Sequence, residues 1–270
     1  MLGSSRAALT AGRDALAAAL GSGADSSAVA EDLFGVTGAL DSSASLRRAL
    51  VDPSRDATAK RGLVEGLFGA KISAAATGVL NALVSQRWAD DRDLGDAIES
   101  LAVEAVVASA EAAGGLDALE DDLFRFGRVV VADASLRDAL SAQGGDENVK
   151  SALVEALLGG KASAESIRLV RQAANSPRGR RFGRVLDSYL AIAAKRREQL
   201  TATVTAAVAL DDAQRQRLTQ ALSGIYHRAV QINVVLDPTV VGGIRVQVGD
   251  EVVDGTILRR VQEAERALLR

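Results

Sequence analysis

Residues 122–140, "DLFRFGRVVVADASLRDAL", have an echo earlier in the chain: residues 32–50 read "DLFGVTGALDSSASLRRAL". The two stretches align without a gap at an offset of 90 residues, and so do "LVEGLFGAKISA" (63–74) and "LVEALLGGKASA" (153–164). Self-similarity at one fixed period marks a duplicated structural module. Apolar spacing says what the module is made of. Val29, Leu33, Val36 and Leu40 recur as Leu119, Leu123, Phe126 and Val130, and the i, i+4, i+7, i+11 pattern is one face of an α-helix. The repeated unit is helical.

Outward from this stripe, both copies parse alike. A short helix follows ("SLRRAL" and "SLRDAL"), with Ser45 and Ser135 as its expected N-caps. The next helix ends in "LFGAK" or "LLGGK", whose glycines suit a left-handed C-cap. A fourth carries Val79, Leu80, Leu83 and Val84, with Trp88 one turn on. The copies diverge where "SQRWADDRD" gives way to "NSPRGRRFG", and each closes with a long helix, Leu94–Glu111 and Phe182–Leu200. A helix over Ser4–Leu20, moved by the repeat, lands on 94–110, so that helix is expected to close one module and open the next. The expected domains are a first helical copy over 1–110, a second over 91–200, and a different unit over 201–270. No Pro/Gly/Ser-rich linker separates the copies.

The third unit changes character. "TATVTAAVAL" (201–210) sets Val204, Ala206 and Val208 on one face of a strand. Asp211 or Asp212 is placed to cap a helix with Leu218, Leu222 and Ile225 as its buried stripe. Ile232, Val234 and Leu236 alternate in the next strand, and Asp237-Pro238 and Gly242-Gly243 supply turn chemistry. Ile244, Val246 and Val248 are expected inward, Arg245 and Gln247 outward. Gly249-Asp250 turns into "EVVDG", and a last helix starts at Thr256. The order β-α-β-β-β-α predicts a small sheet covered by helices. The fold class is thus mainly α: two repeated helical bundles, then a small α/β domain.

Composition narrows the function classes. Of 270 residues, 48% are hydrophobic but only 3% aromatic, with three prolines, which favours helices around a real core. The lack of cysteine excludes disulfides and thiolate metal sites. A net charge of −3 is no electrostatic basis for binding polyanions, so no nucleic-acid partner is expected. No apolar run approaches the ~18 residues of a membrane span, and Arg6 and Arg13 interrupt any signal-peptide core. A cytoplasmic protein is expected.

Four features invite sharper readings. "GGKAS" (159–163) and "GAKIS" (69–73) look like phosphate loops, but the upstream glycine is missing and Ala162, not Ser or Thr, follows Lys161. A capped helix end with a lysine beside it fits better. His227 is the single histidine and has no orienting partner in view. Asp250, Glu251 and Asp254 gather carboxylates without calcium-loop spacing, and turn chemistry accounts for them. "PRGRRFGR" (177–184) with "KRR" (195–197) is the one basic cluster. It reads as a solvated helix start, a contact for acidic partner segments, or a local nucleic-acid patch. No catalytic residue, metal ligand or cofactor site is expected. A helical adaptor of unrelated purpose would satisfy the repeat alone.

The ordered set Asp237, Pro238, Gly242, Gly243, Gly249, Asp250, Asp254 and Gly255 within "LDPTVVGGIRVQVGDEVVDGTILRRV" resembles the C-terminal signature of the delta subunits of F-type ATP synthases, the oligomycin-sensitivity-conferring protein family. "ASLRDALSAQGGDENVKSALVEALLGGKASAES" is similar to that family's helical N-terminal domain. The resemblance implies a non-catalytic stator subunit on the cytoplasmic face of the membrane, present once per complex and without a membrane span. It would join N-terminal segments of the alpha subunits in the catalytic head to the C-terminal end of the b stalk, so that the head does not turn with the rotor. One helical module more than usual resembles the long actinobacterial form, here expected to stand alone. The second copy, next to the C-terminal domain, is the expected head contact.

Overall fold

The computed structural model describes residues 3–142, 146–175, 178–198, 201–226, 230–240, 242–248 and 251–254. The chain divides into two compact units, Met1–Ala193 and Ala194–Arg270.

The first unit holds helices α1 to α10 and α11 as far as Ala193. α1 is Gly3–Gly21; α2 to α5 are Ser26–Ser42, Ala44–Val51, Ala57–Phe68 and Ala74–Val84. α6 is Asp91–Ala112; α7 to α10 are Leu116–Ala132, Ala134–Ser141, Glu147–Leu158 and Ala164–Asn175; α11 is Phe182–Glu198. The starts of α7 to α10 fall 90 residues after those of α2 to α5, so the repeat in sequence is a repeat in backbone. Both stripes face inward: Val29, Leu33, Val36 and Leu40 are buried, and so are Leu119, Leu123, Phe126 and Val130. Polar struts repeat as well. Asp32 Oδ2 accepts the Ser73 N–H at 2.8 Å, and Asp122 Oδ2 accepts the Ser163 N–H at 2.9 Å. Each carboxylate satisfies an orphan amide where the fifth helix of its module begins.

α6 is the centre of this unit. It packs against α1, α2, α3 and α5 and also against α7 and α10. Its apolar residues point in every direction, Leu94, Ile98, Leu101, Val103, Val106 and Val107 among them, and all are buried. A helix apolar all round must be enclosed all round. On the first-copy side, α1 comes close because residue 12 is glycine: a Cβ there would lie 2.5 Å from Leu83 Cδ2 and 2.8 Å from Leu101 Cδ1.

Two local expectations are corrected. The caps of α3 and α8 are Ser43, accepting from the Leu46 N–H, and Asp133, accepting from the Leu136 N–H, not Ser45 and Ser135. These residues stand three before the amide they satisfy, the reach an N-cap side chain has. The glycines after α4 and α9 do not both turn left-handed. Gly69 keeps helical angles and Gly159 has φ −54°, while Gly160 takes φ +68°.

The second unit is a four-stranded sheet in the order β2-β1-β3-β4, with β1 Thr201–Ala206, β2 Gln231–Leu236, β3 Ile244–Val248 and β4 Glu251–Asp254. β1 runs parallel to β2 and antiparallel to β3, and β4 is antiparallel to β3. Helix α12, Asp212–Tyr226, makes the crossover between β1 and β2 that parallel pairing requires. Its start is capped reciprocally: Asp211 Oδ1 accepts the Gln214 N–H at 2.6 Å and Gln214 Oε1 accepts the Asp211 N–H at 3.0 Å. Ala202, Val204, Leu222, Val230, Val246 and Val248 form the core, with Leu218, Ile232, Val234 and Ile244 against it.

Three of the expected inward residues are exposed. Val208 lies past the end of β1, Ile225 is on the outer side of α12, and Leu236 ends the edge strand beyond the core cluster. Tyr226 packs inward where Ile225 was expected, and its hydroxyl donates to Glu251 Oε2 at 2.8 Å. The helix expected from Thr256 lies outside the described residues.

Candidate functional site

Among the described residues, three places exceed what packing alone requires. The first is the turn after β2. Asp237 Oδ1 accepts from the Thr239 N–H at 2.9 Å and from its hydroxyl at 2.6 Å, closing an Asx-type turn around Pro238. These bonds hold the Asp237 carboxyl below the usual carboxylate range: the side-chain bond from Thr239 counts most, then its amide, with Arg245 adding a smaller pull. Gly242 and Gly243 follow with φ +64° and +79°, a pair of left-handed residues that side chains resist. Asp254 ends β4. Of the eight signature residues, Gly249, Asp250 and Gly255 lie outside the described residues, as does His227.

The second place is an ion-pair latch around Glu99. This carboxylate sits in the apolar run of α6 and is only 2% exposed. Arg178 Nη2 donates to Glu99 Oε2 and pairs with Asp96 Oδ1 at 2.8 Å, while its Nε lies 3.8 Å from Asp41 Oδ2. Arg180 Nη2 donates to the same Glu99 oxygen at 2.6 Å, and the Tyr189 hydroxyl donates to Oε1 at 2.6 Å. Arg178 holds φ +47°, a left-handed conformation that costs a non-glycine residue about 1–2 kcal/mol and persists only where surroundings impose it. Gly95 leaves the space: a Cβ there would meet Arg178 Nη1 at 2.7 Å. Burial alone would lower the Arg178 pKa; Glu99, Asp96 and Asp41 outweigh it, and the net shift is upward. Tyr189 is pushed well above its ordinary 10.0, first by burial and then by the charge and hydrogen bond of Glu99.

The basic cluster of the sequence is therefore corrected in part, Arg181, Arg184, Lys195 and Arg197 being exposed as a solvated face would have them. Arg178 and Arg180 face inward to α6, and Phe182, the aromatic that interrupted the cluster, is fully buried and meets Phe126 edge-on at 6.0 Å. The segment joins α11 and its neighbours to α2 and α6. Glu99 and Tyr189 escaped the sequence reading. The available signal was a lone carboxylate in an apolar helix, which needs a partner when buried.

The third place is apolar and uncovered. On α7, Phe124, Val129 and Val131 are exposed at 57%, 52% and 71%. Among the described residues no group of His, Cys, Asp or Glu could hold a metal ion, and no helix is long and apolar enough to cross a membrane. Lys161 caps its helix end, with Nζ donating to the Leu157 carbonyl at 3.3 Å.

Comparison with known proteins bears on the same segments. Residues 103–268, from within α6 through the second copy and the α/β unit, match the family described as ATP synthase delta (OSCP) subunit. The chain belongs to the ATP synthase delta (OSCP) subunit family. It is 49% identical to the ATP synthase subunit delta of Kineococcus radiotolerans, over 98% of this chain and 97% of that one. The Streptomyces avermitilis protein of the same name is 45% identical, over 98% of both chains, and that of Beutenbergia cavernae 46%, over 99% of both. Coverage of this extent takes in the first helical copy, so these relatives share the long form. As a member of the family, this chain is a non-catalytic peripheral-stalk subunit of an F-type ATP synthase. Subunits of this family generally interact with alpha subunits and the b stalk.

Proposed function

We propose that this delta subunit, one copy per complex, ties the catalytic head to the membrane-anchored stalk through two separate surfaces. The second helical copy holds N-terminal segments of the alpha subunits, and the α/β unit holds the C-terminal end of the b subunit on the cytoplasmic face of the membrane. One observation carries the division: the family match begins inside α6 and covers the second copy and the α/β unit, which leaves the first copy as the addition. The signature residues Asp237, Pro238, Gly242, Gly243, Gly249, Asp250, Asp254 and Gly255 belong to the b-binding unit and perform no chemistry, the turn at 237–243 shaping it. Domain limits of 1–110, 91–200 and 201–270 go with this reading, α6 serving both helical copies. Its contacts with α1 and α2 on one side and α7 and α10 on the other support that sharing.

The reading is tested on the full chain with two peptides from its own organism, the alpha N-terminal segment and the b C-terminal segment. Calorimetry gives affinity and hydrogen exchange gives place. Protection by the alpha peptide is expected within 112–198 and by the b peptide within 201–254. Protection by the alpha peptide confined to α1–α5 would reverse the assignment of the two copies, and binding of neither peptide would remove the mechanism.

A further inference from the structure

The repeat supplies its own template for what covers α7. On the first copy, the matching face of α2 is occupied by Arg168 of α10. Its Nη1 donates to Ser27 Oγ at 3.1 Å, and its Nη2 donates to the Ser27 carbonyl at 3.0 Å and pairs with Glu31 Oε1 at 2.7 Å. The guanidinium carbon stands 5.9 Å from the ring centroid of Phe34. Phe34 is covered, at 7% exposure.

Moved by the repeat, Ser27, Glu31 and Phe34 become Asp117, Asp121 and Phe124. The acceptors and the ring are kept, and one acceptor gains a charge. Yet Phe124 stands 57% exposed. Among the described residues Asp121 pairs only with Arg125, one turn on, where both side chains are more than half exposed; such pairs hold little and exchange readily. Val131 continues the same side of the helix two turns beyond Phe124.

We propose that the Asp117–Val131 face of α7 docks an amphipathic helix of a partner subunit, which sets an arginine over Phe124 against Asp117 and Asp121 and lays apolar side chains on Val131. The contact reproduces between chains what α10 makes within this one. Charge complementarity selects the occupant at the N-terminal end of the face, where Asp117 and Asp121 precede the ring and Arg125 and Arg128 follow: two carboxylates beside an aromatic face suit a guanidinium, which stacks and pairs at once. A second copy of this chain is a poor occupant. Its Arg168 is already engaged on its own α2, and the repeat equivalent of Arg168 is Gly78. The inference rests on the reading that the second copy receives a partner segment, and it names the face and the chemistry of that contact.

The test uses the full chain with Phe124→p-benzoylphenylalanine, assembled into the synthase and irradiated, with adducts mapped by mass spectrometry. The expected product joins position 124 to a partner-subunit helix with an arginine within about one turn of the modified residue. In parallel, Asp117→Asn with Asp121→Asn is expected to weaken binding of the subunit to the rest of the complex about tenfold in low salt, with the difference fading in high salt. A subunit that co-purifies with the head yet gives no inter-subunit adduct at 124 overturns this inference and leaves the head contact standing. Failure of the unaltered chain to co-purify overturns the underlying reading instead. An adduct to a segment without an arginine refutes the chemistry proposed for the face.

Discussion

Replacing Glu99 by alanine removes the anion on which Arg178, Arg180 and Tyr189 converge. Loss of one partner from a buried pair costs about 3–5 kcal/mol, because the surviving charge stays buried without compensation. Arg178 would keep Asp96 and, more distantly, Asp41, which places the expected cost near the lower end, about 3 kcal/mol. Arg180 is a third exposed and can turn to water. Trp88 is the only tryptophan and its indole N–H donates to the Leu83 carbonyl within the first unit, so its fluorescence reports that unit alone. In urea, with a slope of about 2 kcal/mol/M, the midpoint should fall by about 1.5 M without change of slope. Glu99→Ala combined with Arg178→Ala should recover part of the loss, since the pair is then absent together and no buried guanidinium is left without its carboxylate. A cost below about 1 kcal/mol for Glu99→Ala would refute the latch, because it would mean the charges are as well solvated as a surface pair.

Tyr189 gives a pH signature. An unfolded tyrosine ionises near 10.0, whereas Tyr189 keeps its proton well above that; unfolding within that window releases a proton, so stability is intact below pH 10 and falls as pH rises. Tyr189→Phe should flatten this alkaline fall, measured as urea midpoints from pH 7 to 11. Gly12→Val should destabilise by about 1–3 kcal/mol through overpacking against Leu83 and Leu101, seen in the same melt. Asp32→Ala and Asp122→Ala should each cost about 1–2 kcal/mol by orphaning the Ser73 and Ser163 amides. Asp122→Ala should cost the more of the two, because Asp122 Oδ2 also accepts from the buried Ser166 hydroxyl at 2.9 Å, where the first copy has Ala76.

How much of this was readable depended on range. The stripe Leu119, Leu123, Phe126, Val130 and its earlier copy were legible because periodicity over four turns has one cheap outcome, burial of that face. The sheet faces at Ile244, Val246 and Val248 followed for the same reason, with a period of two. What failed lay at element ends. Ser45 lost the cap to Ser43, and Val208 and Leu236 lie past or at the end of their strands. Ends depend on single hydrogen bonds and on where the neighbouring element stops, and neither is written in local periodicity. The latch was hidden for a different reason. Arginines 178 and 180 are far from Glu99 in sequence, so the cluster looked like a surface until the fold brought the carboxylate to it.

The latch also explains why duplication here need not mean two bodies on a hinge. A stator must resist twisting between its attachments, and two bundles joined by a flexible linker would absorb that twist as rotation. In this chain α6 presents apolar side chains to both copies, and Arg178 fastens the segment before α11 to Asp41 on α2 as well as to α6. Relative rotation of the copies would strip buried apolar surface from α6 and pull a buried guanidinium from its carboxylates in the same motion. Each is costly alone. Together they make the added module a stiff extension of the second copy, a property that a linked pair of independent bundles would lack.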